Sequence, residues 1–402
     1  MIINAVEFKR CLGIERGLEH GQELSKPVRW LQNLLFLGFL SFALIQYLPV
    51  SGKTQNNVAY VAILLPALLL SFLRIRHFTD VVRTTWPLWC FFAAVACAAL
   101  VLVESSFLKT TLYTALFCLG VALLERARPR SAEVVFSLFF VFSGLILAYA
   151  SLTWLFSGLQ SGLFLRMEQL GGSAENPIYA GLLVSCAMAY HAFSFDGGKV
   201  LVRPDGRQML RIVVCFLAAI LAVVVFQSRS ALLGIVLAFG TFGLMAGRAR
   251  LIMLLLAVAG VLVVLLSTGE NGVLERGLSH RPEIWGDALR IWQADCSVWF
   301  GCGRTEELFI GAYYGTHNGY VGTLFRHGVV GALGLAVFLI WYAVRGMRSR
   351  SRWFLVSLVG WGGMLSAMDG LVGSPAAWWL FVWFPSVAAL VDQMRMDGGA
   401  RT

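Results

Sequence analysis

Long apolar runs separated by short polar turns repeat along the chain from about residue 30 to about residue 394. A bilayer core needs ~20 apolar residues per helix. The pattern predicts about twelve spans, at 30–49, 57–75, 86–104, 106–124, 132–157, 177–195, 208–227, 230–247, 250–267, 320–344, 353–372 and 376–394. One hydrophilic stretch, 268–319, is too long for a simple connection and is expected to carry structure of its own. Within it, Pro282 to Ala294 has helical periodicity, with Ile284, Trp285, Ala288, Leu289 and Trp292 on one face and Glu283, Asp287 and Arg290 on the other. A shorter Gly-rich segment, 158–176, precedes the sixth span. The first 25 residues are polar and lack a cleavable apolar core. The expected organisation is a leading segment 1–29, nine spans over 30–267, a loop 268–319, three spans over 320–394 and a tail 395–402.

Composition agrees: of 402 residues, 58% are hydrophobic and 13% charged, with a mean hydropathy of +0.75. A soluble ordered domain has roughly twice that charge. The net charge of +10 would suggest nucleic acid in a soluble protein, but its distribution argues otherwise. With the N-terminus in the cytoplasm, 23 of the 32 basic residues fall in the tails and loops on the inner side, as the positive-inside rule asks. Both termini are then cytoplasmic, and no nucleic-acid partner is expected.

Nine basic residues remain on the outer side: Lys53, Lys109, Arg166, Arg229, Arg276, Arg281, Arg290, Arg304 and Arg326. Arginine forks at a membrane surface suit a phosphate or diphosphate group, which they bind bidentately. Lys53, Lys109, Arg290 and Arg304 read more simply as paired or snorkelling charges. Among the histidines, His280, His317 and His327 lie outside. His317 stands at the end of the large loop, and imidazole is the natural general base near neutrality. Cys296 and Cys302, six apart, fit either a disulfide or two free thiols. The outer side shows no metal-ligand cluster, so no metal or other cofactor is expected.

The ordered motifs resemble those of the bacterial O-antigen ligases and their relatives, the O-antigen polymerases and protein O-oligosaccharyltransferases. His317-Asn318, nine residues, Gly328, two residues and Gly331 match the family's late motif at each fixed position. Ser228-Arg229-Ser230-Ala231-Leu232-Leu233 is similar to its Arg-to-Leu span entry. Arg281-Pro-Glu-Ile-Trp285, followed by Phe300-Gly-Cys-Gly303, resembles the start and end of its loop helix. Asn176-Pro177-Ile178 departs from the family's Asn-Pro-Asn.

The resemblance implies an all-α, glycosyltransferase-C-like membrane protein of the bacterial inner membrane, with its site facing the periplasm. The implied reaction moves a glycan from undecaprenyl diphosphate to a hydroxyl of lipid A–core. His317 would then be the base, Arg229 and Arg281 would hold the diphosphate, and Arg166, Asn318, Tyr320 and Trp285 would bind substrate. The rivals are a polymerase using the same residues and a polyprenyl-glycan transporter. A transporter calls for internal repeats and midplane charges; the sequence shows no clear repeat, and its unusual charges cluster at one face, with His191, close to the cytoplasmic end, as the main mid-span exception. The C-terminal soluble domain common in the protein-glycosylating relatives is also missing from the expected layout.

Overall fold

The computed structural model describes residues 25–162, 164–168, 170–194, 204–248, 260, 280–303, 307–308, 313–367 and 370–399. The expected ninth span and much of the outer loop therefore lie outside the described residues, as do Arg276, Arg304 and Asp369. Each of the other expected spans has a helical counterpart. In chain order these are α1 (Lys26–Ile45), α2 (Gly52–Leu73), α3 (Ile75–Thr84), α4 (Trp86–Val101), α5 (Ser105–Ala127), α6 (Ser131–Ser161), α7 (Pro177–Ala192), α8 (Gly206–Phe226) and α9 (Arg229–Met245). Then follow α10 (Arg281–Asp295), α11 (Gly319–Ser349), α12 (Arg352–Gly363) and α13 (Phe384–Gly399), the last preceded by a π turn, Trp379–Trp383.

Six of these helices are long and apolar enough to cross a membrane, or seven if the bent pair α3 and α4 counts as one. The pair turns through 91° where Pro87 denies the backbone a donor. The eleven expected spans that fall within the described residues are therefore matched by helices in place more fully than by length. α7, α9 and α12 are short and packed on one another; α7 and α12 sit in the interior, whereas α9 leaves Leu233, Val236, Leu237 and Leu244 exposed along one stripe. Two residue pairs, Glu307–Leu308 (β1) and Tyr313–Tyr314 (β2), make a small antiparallel ladder, a minor departure from the all-α expectation.

A close contact between α9 and α12 sets the core. A Cβ on Gly234 of α9 would lie 2.2 Å from the carbonyl oxygen of Val359, and one on Gly362 of α12 would lie 2.8 Å from the Gly234 Cα. The two backbones touch, as small residues allow in apolar surroundings. Around them a cage of aromatic rings, including Trp361, Trp379, Trp383 and Phe384, fills the interior.

The bundle has two chemically distinct ends. At one end Arg126 pairs with Asp80 at 2.8 Å, Arg352 with Glu133, and Arg395 with Glu125. The Ser351 hydroxyl donates to Asp392 at 2.8 Å. These are loops and helix ends expected on one common side, and they do meet. The ends carrying Arg229, Arg281 and His317 lie opposite.

Substituting Gly234 by Leu is expected to destabilise the purified protein by more than the ~1–3 kcal/mol typical of overpacking, because backbone rather than a movable side chain stands in the way. Gly240, whose Cβ would meet nothing within 4 Å, is the control. A thermal-shift measurement in which both variants melt alike would contradict the contact.

Candidate active site

The expected eleventh span, 353–372, is helical only as far as Gly363. Beyond it the chain turns through Met364, Leu365 and Ser366, leaving carbonyls that no longer meet the next turn of a helix. Donors from three other elements meet these carbonyls. The Gly319 amide donates to the Met364 carbonyl at 2.8 Å, and the Asn318 side-chain amide donates to that of Leu365 at 3.1 Å. The Ser366 carbonyl accepts twice, from the Ser230 hydroxyl at 2.9 Å and from Arg281 Nη2 at 3.0 Å. The two serine hydroxyls also lie 3.0 Å apart. Residues from the starts of α9, α10 and α11 are thereby gathered on one turn.

Arg229 opens α9, one residue after the Ser228 side chain caps it by accepting from the Ala231 amide at 3.3 Å. Arg281 opens α10. Both side chains are half-buried. Desolvation, and then the like charge of Arg229, holds the Arg281 guanidinium below its ordinary pKa. Two cations are thus held close enough to repel, in surroundings that only partly hydrate them. An anion bridging them would relieve both costs.

His317 sits between two clamped neighbours. Trp285 Nε1 donates to the Thr316 carbonyl at 3.0 Å, and the Thr316 hydroxyl donates to the Asn318 carbonyl at 2.9 Å. Asn318 caps α11 through Oδ1, which accepts from the Tyr320 and Val321 amides at 2.9 and 3.1 Å. Tyr320 in turn donates its hydroxyl to the Trp361 carbonyl at 2.7 Å. His317 itself has φ 48°, a left-handed conformation that costs a non-glycine residue about 1–3 kcal/mol and persists only where neighbours over-determine it. Asn318, Tyr320 and Trp285, expected to touch substrate, thus place polar atoms in the frame around a half-buried His317.

Arg166 docks at the base of the same corner. Its Nε donates to the Phe226 carbonyl at 3.1 Å, the Met167 amide donates to the Val225 carbonyl at 3.1 Å, and the Gln227 side chain donates to the Phe164 carbonyl at 3.3 Å. The segment 164–167 therefore packs against the turn that launches Arg229. Asn176 caps α7 by accepting from the Ile178 amide at 3.0 Å.

The loop helix α10 buries Ile284 and Ala288 against Phe325, with Trp285, Ile291 and Trp292 partly covered. Leu289, expected on this face, is 39% exposed, and Ile291 takes its place. After α10, Cys296 and Cys302 form a disulfide that closes a tight loop, and this loop fills a break in α11. Gly328 leaves the helix at φ 60°, ψ −162°. Across the gap the residue 302 and 303 amides donate to the Phe325 and Arg326 carbonyls at 2.8 and 3.1 Å. The Val329 and Val330 amides donate to those of Val298 and Trp299, both at 3.0 Å. A Cβ on Gly328 would stand 2.4 Å from the Trp299 backbone. The motif glycine thus marks where a helix is cut to receive the loop.

His327 is buried edge-on against Phe107, with ring centroids 5.7 Å apart. Arg290 pairs with Asp287 at 2.5 Å on the exposed side of α10. Neither belongs to the gathered set. Sequence reasoning missed Ser230 and Ser366, whose small hydroxyls inside apolar stretches give no distinguishing signal. Among the described residues no group of three His, Cys, Asp or Glu side chains stands placed to share a metal ion.

Replacing Cys296 and Cys302 by Ser is expected to loosen the loop by about 2 kcal/mol on the chain-entropy account. Hydrogen exchange at the Val329 and Val330 amides should then speed by roughly thirty-fold, as 1.4 kcal/mol is tenfold. Unchanged exchange would show that the disulfide does not hold the loop in the break.

Residues 214–336 match the O-antigen ligase family, a stretch that includes Arg229, Arg281, His317 and the interrupted helix. An O-antigen ligase of Pseudomonas aeruginosa is 30% identical over 187 residues. That likeness covers 43% of this chain and 46% of the relative, so the chain spans about half the length of the curated relative it matches. The family match is thus laid over residues that the turn at Met364–Ser366 draws together, and across that stretch the chain is similar to the O-antigen ligases.

Proposed function

We propose that the protein is an O-antigen ligase that moves a glycan from undecaprenyl diphosphate to a hydroxyl of lipid A–core. In this reading it lies in the bacterial inner membrane with both termini cytoplasmic and the site facing the periplasm, and it serves lipopolysaccharide biosynthesis. The observation that carries this is the convergence of Arg229, Arg281 and the His317 frame at the end of an apolar bundle opposite its carboxylate-paired end.

The chemistry follows from the groups. An acceptor hydroxyl oxygen attacks the anomeric carbon from the face opposite the diphosphate. The new carbon–oxygen bond forms as the bond to the phosphate oxygen breaks, so the configuration inverts. The breaking bond's electron pair goes to the diphosphate, and the hydroxyl proton goes to His317. Arg229 and Arg281 meet the charge growing on the leaving oxygen, the part a divalent cation plays elsewhere. Their repulsion in the resting site is relieved by the polyanion, and Arg166 extends the same positive edge. Asn318, Tyr320 and Trp285 position His317, and the partly covered Trp285 ring offers a face to sugar.

His317→Ala is expected to lower transfer by ~10²–10⁴-fold, and loss of either arginine by ~10²–10³-fold, with folding retained. A His317→Ala protein that folds and transfers at the wild-type rate would defeat the base assignment. Activity is expected to survive EDTA; abolition rescued by magnesium would overturn the arginine role. Deleting the gene separates the reactions. Unmodified core with accumulated carrier-linked polymer means ligase, core capped with a single repeat means polymerase, and an unchanged glycolipid pattern would exclude both.

A further inference from the structure

A second feature lies at the end of the bundle away from His317. α6 and α8 diverge over α7 and leave a groove of about 880 Å³, lined along α6 by Gly144 and Ala148 and along α8 by Leu210, Val214, Ala218 and Leu221. Its wall is apolar along its length apart from Ser151, and Arg207, Arg211 and His191 close one end. The two arginines lie one turn apart on one stripe of α8, and the His191 ring stacks on Phe140 at 4.1 Å. No Asp or Glu is among the described residues lining it. From Arg207 to Leu221 the groove runs for about 21 Å at ~1.5 Å per residue, longer than the ~15 Å that is half a bilayer core.

We propose that this groove binds an anionic phospholipid of the cytoplasmic leaflet, its phosphate held by Arg207 and Arg211 and one acyl chain lying along Gly144 to Leu221. The charge pattern selects the occupant. A neutral lipid needs no paired arginines. A lipid entering from the outer leaflet, the donor included, carries its phosphate at the opposite end, beside Arg229. Basic pockets between spans on the cytoplasmic side are where acidic head groups bind. The assignment rests on the proposed topology, in which the Arg207 end is cytoplasmic, but not on the glycan-transfer reaction.

The test uses the full-length protein purified in detergent and titrated with phosphatidylglycerol or phosphatidylcholine, with bound lipid counted by native mass spectrometry. Wild type is expected to prefer phosphatidylglycerol. Joint Arg207→Gln and Arg211→Gln substitution should weaken that lipid by about five-fold per arginine and weaken phosphatidylcholine, whose choline offsets the same phosphate, by less. Gly144→Leu fills the apolar part without a clash, since a Cβ there meets nothing within 4 Å, and should weaken both lipids. Equal phosphatidylglycerol binding by wild type and the double variant would overturn the proposal. So would displacement by inorganic phosphate combined with indifference to Gly144→Leu, which would mark a bare anion site. Orientation is read separately, by labelling an Arg207→Cys protein in spheroplasts with a membrane-impermeant maleimide. Labelling above the wild-type level would overturn the leaflet assignment alone, whatever the lipid titration shows.

Discussion

The early end of α12 is the constraint on which the end of this protein bearing Arg229, Arg281 and His317 depends. Three carbonyls, at Met364, Leu365 and Ser366, emerge from a helix that stops inside an apolar bundle. A buried carbonyl left without a partner costs ~1–3 kcal/mol, and non-helical backbone at membrane depth is tolerated only where protein satisfies it. The donors that satisfy these carbonyls are Gly319, Asn318, Ser230 and Arg281. Each is a candidate catalytic residue or lies within two positions of one. Meeting the hydrogen-bond demand of one turn and assembling the site are therefore the same event, and a defect in α12 would reach the site without touching a catalytic side chain.

The break in α11 solves a problem of length. Helix α11 is 31 residues long, which at ~1.5 Å per residue exceeds a ~30 Å hydrocarbon core by half again. Cut at Gly328, the part after the break matches that core by itself, and the part before it is free to stand over the membrane surface. The disulfide-closed loop supplies the backbone partners that the cut removes. That arrangement places the start of α11, with Asn318 and its neighbour His317, beside α10, because Phe325 and Val321 just before the break are the surface on which Ile284 and Ala288 pack.

Much of this layout is legible in the residues. Apolar runs mark the helices because lipid-facing and interior positions are both apolar, and eleven of the twelve expected spans have described counterparts. The late motif carries His317, Asn318 and both glycines, and the Arg-bearing motifs carry Arg229 and Arg281. What is not legible is of one physical kind. The Ser366 carbonyl has the same chemistry in every residue type, so no sequence pattern marks it as the hub. Leu289 and Ile291 are equally apolar, and only the direction from which Phe325 approaches decides which is covered. α3 passes for a polar turn because Arg74, Arg76, His77, Asp80 and Arg83 alternate with few apolar positions, yet it is a surface helix. Asn318 reads as a ligand for substrate, whereas its cap and its tether to Leu365 use both ends of its amide.

The partners of the arginines separate two jobs that the charge count merges. At the end opposite the site, Arg126, Arg352 and Arg395 meet carboxylates, so each pair is close to neutral and contributes topology and packing rather than a field. Arg290, on α10, is likewise matched by Asp287 and exposed. Arg281 instead donates to a carbonyl, and a carbonyl orients a guanidinium without cancelling its charge. Its desolvation and the nearby charge of Arg229 then act unopposed by a carboxylate, which is why its pKa falls. Since Coulomb energy scales inversely with the local dielectric, a half-buried guanidinium oriented this way attracts an anion more strongly than the same group on an open surface. What sets Arg281 apart from Arg126, Arg290, Arg352 and Arg395 is therefore its partner, a backbone oxygen with no carboxylate among the described contacts.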